Sequence, residues 1–144
     1  MSNQLTNLEQ AVLEMMLAGD NPQLRILREQ FSNASVLKRE FTGSGFFTDL
    51  KIPAAVPRLQ CKQRVTITDV SAEISSLKHD AGFVLFIDEG RMTCLEGFCY
   101  DEVWPDSTAD FALSYLKESP RGSGHLISSK ERDAEFAFKN FVIA

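Results

Sequence analysis

Residues 100–106, Tyr-Asp-Glu-Val-Trp-Pro-Asp, set two large aromatic side chains among three carboxylates. Tyr100 and Trp104 each offer a broad rigid surface with a polar tip, the residue type that dominates protein–protein contacts. Asp101, Glu102 and Asp106 suit the steering and orientation of a basic partner. The segment lies within a wider charge asymmetry. From Asp88 to Glu118 eight acids stand against two bases, net −6, and from Leu24 to Arg64 eight bases stand against three acids, net +5. Two arrangements fit this pattern: ion pairs between neighbouring strands of the chain, or opposed potentials on a surface that meets a partner. For Trp104 the choice is similar, between a plug at the edge of the core and a contact residue.

Other reactive side chains are sparse. Cys61, Cys94 and Cys99 are odd in number, and no CxxC or HxxxH spacing occurs. Five residues apart on a strand, Cys94 and Cys99 face opposite sides. We expect no metal site and no cofactor, with the thiols acting as small buried hydrophobes. His79 falls in a turn-like KHDAG and His125 in a polar loop. Glu96 is expected to share a strand face with Cys94 and Tyr100, and proximity to the core would raise its pKa. A carboxylate alone defines no reaction, because geometry makes the catalyst. Gly-Ser-Gly occurs at 43–45 and 122–124, and neither copy matches a P-loop or dinucleotide fingerprint. No catalytic set is therefore assigned.

The elements that must position these residues belong to a chain of 144 residues, 44% apolar and 24% charged, with net charge −5. That composition fits one soluble domain over residues 1–144. The longest apolar run, Phe83 to Ile87, is far short of a membrane span. The first residues lack the basic and apolar regions of a secretory signal, so a cytoplasmic location is expected. The acidic balance argues against nucleic acid as a partner.

Thr6 and Glu9 form a T-x-x-E capping box ahead of Leu8, Val12, Met15 and Met16, which predicts a first helix ending at Gly19. Asn21 and Pro22 open a second, with Leu24, Leu27 and Phe31 on its apolar stripe. The short link between them predicts an αα-hairpin. Val36–Phe41 and Phe46–Ile52 predict a β-hairpin, and Val65, Ile67 and Val70 a third strand. Residues 71–77 fit a helical turn or a strand end. Phe83–Ile87 predicts a central strand buried on both faces. Asp88-Glu89-Gly90 is expected to turn the chain into Arg91–Tyr100, with a bulge at Gly97. Phe111–Leu116 predicts a further strand and 117–125 a loop. Ser128 and Glu131 suggest a second capping box, followed by a C-terminal helix with Ala134, Ala137, Phe138, Phe141 and Val142 on one face, the alternative for EFAFKNF being an edge strand. The fold class is α+β: an N-terminal αα-hairpin on a mainly antiparallel sheet, with a C-terminal helix.

The block GFVLFIDEGRMTCLEGFCYDEVWPD, with REFTGSGFFTDLKIP and LEMMLAGD upstream, resembles a family of small bacterial proteins known mainly as uncharacterised open reading frames. The matching signature is GFVLF-x3-GR-x3-LEG-x2-YDE-x-WP, and the resemblance covers most of residues 5–116. It implies no activity. By analogy, small acidic α+β proteins of this kind are often immunity proteins. The expected function is thus a non-enzymatic protein-binding module, an immunity protein that neutralises a cationic toxin such as a nuclease through Tyr100, Asp101, Glu102, Trp104 and Asp106. The alternatives are a small enzyme of unassigned substrate and a regulatory or scaffold protein.

Overall fold

In α1 (Asn7–Met16), Thr6 Oγ1 accepts the Glu9 N–H at 3.1 Å and the Glu9 carboxylate accepts the Thr6 N–H at 2.8 Å, the reciprocal box its sequence specifies. The computed structural model describes residues 4–120 and 125–139. Asn21 caps α2 (Pro22–Ser32) through the Gln23 N–H, with proline in the first turn. The carbonyls left over at the end of α1 are claimed by side chains. Tyr115 donates to Met15 O, Arg28 to Leu17 O and Gly19 O, and Arg132 to Ala18 O. A helix end packed into the protein needs such donors, because water cannot serve it there.

Eight strands among the described residues form one antiparallel sheet: β1 (Ser35–Phe41), β2 (Gly45–Lys51), β3 (Val65–Ile67), β4 (Val70–Ile74), β5 (Ala81–Asp88), β6 (Arg91–Phe98), β7 (Phe111–Glu118) and β8 (Leu126–Ser129). The order is β1-β2-β6-β5-β4-β7-β8. β3 and β4 follow one another along the same side of β5. With the short α3 (Ala134–Ala137), this is the expected α+β fold.

The helices cover one face of the sheet. Leu8, Val12, Leu13 and Met16 of α1 and Leu24 and Leu27 of α2 share a core with Phe46, Leu50, Phe83, Leu85, Ile87 and Leu95. Gln30 is buried among them and fully bonded. Its amide donates to Pro57 O at 3.0 Å and Gly90 O at 2.9 Å, and its oxygen accepts the Met92 N–H at 3.0 Å. Glu9 is buried as well, and it ties α1 to the sheet by accepting from Arg39 at 2.6 Å and from the Thr48 hydroxyl. Burial alone would raise the Glu9 pKa. The bonds from Arg39, Thr48 and the Thr6 N–H, with the Arg39 charge, outweigh it and hold the pKa below the usual glutamate range.

Several expectations are corrected. The run 83–87 is buried on one face only: Phe83, Leu85 and Ile87 are inaccessible, whereas Val84 and Phe86 are half-buried on the side away from the helices. Residues 70–74 are strand β4. The β5–β6 connection is two residues, Glu89 and Gly90, both at positive φ (49° and 83°), a geometry that matches the natural strand twist. Gly90 is also sterically fixed, because a Cβ there would lie 2.0 Å from Leu59 O. The extra residue in β6 is Thr93 rather than Gly97, since Phe86 pairs with Cys94 and Ile87 with Met92. That shift puts Met92 on the core side with Leu95 and Cys99. Gly97 serves close packing, for the Phe46 ring occupies the space of its Cβ at 2.2 Å. Lys117 and Glu118 extend β7, and 126–129 is a strand rather than the approach to a helix. Ser128 sits in β8, and Asp133 caps α3 through the Phe136 N–H. The expected positions of Phe141 and Val142, and residues 121–124 of the loop, lie outside the described residues.

Candidate functional site

The segment from Cys99 to Asp106 is fastened to the β1–β2 turn. The Cys99 N–H donates to Ser44 O and the Trp104 N–H to Gly43 O, both at 2.8 Å. The Cys99 thiol lies 3.2 Å from Ser44 O and 3.3 Å from Glu102 O and donates to them. Between these ties the chain turns at Asp101, whose φ of 55° is left-handed, a conformation Asp tolerates better than most residues.

Each residue of the expected site has a distinct fate. Trp104 is 8% exposed and packs edge-on against Phe46 at 5.1 Å, so it plugs the core. Its side chain anchors the segment and leaves little area for a partner. Glu102 turns back on the chain and accepts the Lys78 N–H at 2.9 and 3.1 Å and the His79 N–H at 3.1 Å. The Lys78 bond, with the His79 bond and the two nearby charges, outweighs the opposing effect of desolvation and holds its pKa below the ordinary value. Tyr100 is 54% exposed, with its ring perpendicular to Phe98 at 5.5 Å. Asp101 and Asp106 are exposed.

No family model, curated protein sequence or solved structure matches this chain. The site therefore rests on its own chemistry.

Two exposed apolar residues beside the segment escape the sequence reading. Val103 is 77% exposed and Phe41, at the end of β1, is 65% exposed. Phe41 also lines, with Arg39, Trp104 and Asp106, a small cavity of about 130 Å³ beside the segment. Neither has a distinguishing motif. Val103 lies between two residues that turn inward, and only that local geometry exposes it. Together these residues form a rim around one end of the sheet: Phe41 and Asp106 on the helix-covered side, Tyr100 against Phe98 on the opposite side, and the exposed Asp101 and Val103 on the connecting segment.

The charge asymmetry divides between the two arrangements. Asp88 pairs with Arg64 at 2.6 Å, and within the basic stretch Asp49 meets Lys38 at 4.0 Å across the β1–β2 ladder. Arg91 donates to the Pro53, Ala54 and Val56 carbonyls and so holds the 53–57 loop. Asp101 and Asp106 form no ion pair among the described residues.

Neither of the two β6-region thiols suits nucleophilic work at neutral pH. Burial, reinforced by Asp49 and Glu96, pushes the Cys94 thiol up to about 12, and burial and Glu102 push Cys99 up as well. The described residues contain no cluster of three or more His, Cys, Asp or Glu side chains arranged to hold a metal ion. None of their helices is long and apolar enough to cross a membrane.

Proposed function

We propose that this chain is a protein-binding module whose rim captures a positively charged protein, and that its biological role is that of an immunity protein neutralising a cationic toxin such as a nuclease. One observation carries the reading: three apolar side chains, Phe41, Tyr100 and Val103, are exposed around one end of the sheet together with Asp101 and Asp106, which form no ion pair among the described residues, on a segment whose backbone is tied to the β1–β2 turn. Exposed apolar groups of this size favour contact with another surface. Rigid backbone lowers the ordering cost of that contact. The acids supply attraction at long range, and Tyr100 supplies packed area at short range. Trp104 and Glu102 act in this account as the scaffold of the rim.

The test uses a partner recovered from the source cell on immobilised chain, then measured in purified form. Asp101→Asn with Asp106→Asn removes two charges, and Asn keeps the tolerance for positive φ at position 101. Affinity should fall by about tenfold or more at low salt, and by less at high salt where the charges are already screened. Tyr100→Ala should weaken binding at every salt concentration. An affinity unchanged in both variants would remove the rim from the interface.

A further inference from the structure

The face of the sheet turned away from the helices is unusually apolar for a surface. Phe47 of β2, Val84 and Phe86 of β5 and Phe98 of β6 all lie on it, half-buried, and none of them joins the main core. An antiparallel sheet with one solvated face ordinarily presents polar residues there. In the middle stands Glu96. Its register partners are Phe47 on one side and Val84 on the other, and Phe98 follows two residues along the same strand. Opposed pairs of this kind bring Cβ atoms to within about 5.5 Å. The Phe98 ring lies across Gly82, and Tyr100 meets that ring edge-on, so this face runs continuously into the rim.

The Glu96 carboxylate forms no hydrogen bond and no ion pair among the described residues. Burial among its apolar neighbours raises its pKa. Among the described residues three cations reach the same face away from Glu96: Arg64 pairs with Asp88 over the Phe86 ring, Lys38 meets Asp49, and Lys51 stands exposed at the far end of β2, four residues beyond Phe47, the register partner of Glu96, and in no ion pair with Glu96. A carboxylate without a hydrogen-bond partner among the described residues, flanked by Phe47, Val84 and Phe98, is complementary to a planar cation that can stack and pair at once. Guanidinium fits better than ammonium, because it stacks on rings, forks onto carboxylates and is less strongly hydrated.

We infer that the helix-free face of the sheet docks the same cationic protein, and that an arginine side chain of that partner inserts between Phe47 and Phe98 to pair with Glu96. This rests on the rim reading for the identity of the partner, but its geometry is separate from the rim acids. The footprint would run from Asp106 and Val103 across Tyr100 to Glu96.

The experiment is a nuclear magnetic resonance titration of the whole chain with Nα-acetyl-arginine amide, set against its neutral isostere Nα-acetyl-citrulline amide. Arginine amide should give saturable shifts at the Glu96 carboxyl and at the Phe47 and Phe98 rings. Citrulline amide should bind at least about fivefold more weakly, and Glu96→Gln should reduce arginine binding by a similar factor. Asp101→Asn with Asp106→Asn should leave these shifts in place, so a failed rim and a failed sheet face give different results. Circular dichroism verifies that the Glu96→Gln variant is folded. Non-saturating shifts, an equal response to citrulline amide, or undiminished binding by folded Glu96→Gln would each overturn the inference.

Discussion

Replacing Trp104 by alanine separates an anchor from a contact residue. The indole is 8% exposed and packed against Phe46, and its backbone N–H holds the β1–β2 turn. Truncation removes about 200 Å² of buried surface, worth about 5 kcal/mol at 25 cal/mol per Å². That value is an upper estimate, because the unfolded chain already buries part of this surface. A loss of about 3–5 kcal/mol is therefore expected, in the range of other buried aromatic truncations. For a chain of this size it corresponds to a fall in Tm of about 10–16 °C. Urea unfolding followed by circular dichroism measures it, since the variant has no tryptophan left to report by fluorescence. The Cm should fall with the m-value unchanged. A loss under about 1 kcal/mol would refute the reasoning and return Trp104 to the surface as a contact residue.

Three further expectations follow from the core. Leu85→Ala, at a fully buried position of β5, should cost about 2–5 kcal/mol in the same assay. Gln30→Ala leaves the Met92 N–H buried without the Gln30 oxygen, while the Gly90 carbonyl keeps the Leu59 N–H, and should cost about 1–3 kcal/mol, with faster amide exchange at Met92. Glu9 has a folded pKa below its unfolded value, so its contribution is complete above the unfolded pKa and is lost as pH falls through the folded one. Urea midpoints measured from pH 6 down through about pH 3 should fall less steeply in Glu9→Gln, itself less stable at pH 6, than in the wild type.

What the sequence made legible followed from local rules. The Thr6–Glu9 box, the Asn21–Pro22 start and the hairpin of β1 and β2 are written within a few residues, and each forms where expected. The errors arose where a long-range partner decides. Phe86 reads as core because it belongs to an unbroken apolar run, yet no helix of the described residues packs on its side of the sheet. Thr93 looks ordinary, and only the two-residue turn at 89–90 makes it the extra residue. Ser128 and Glu131 satisfy the pattern of a capping box, but pairing with β7 claims 126–129 first. Gln30 gave no signal, and Glu102 signalled a partner contact rather than its bonds to the Lys78 and His79 N–H groups, because such a side chain is recognised by the backbone groups it meets, and those come from distant positions. Within residues 100–106, residue type did not foretell the direction of each side chain. The larger aromatic turned inward, and valine, the least conspicuous residue of the seven, turned out.

The measurement closest to the central claim is the association rate constant for the captured partner as a function of salt, read by stopped flow. If the rim steers a cationic protein, the wild-type rate should fall by about tenfold or more between low and high salt, as the Debye length shrinks from about 30 Å to below 8 Å. Asp101→Asn with Asp106→Asn should associate more slowly at low salt and show a flatter slope, with little change in dissociation. Superimposable rates for wild type and variant at every salt concentration would contradict the account.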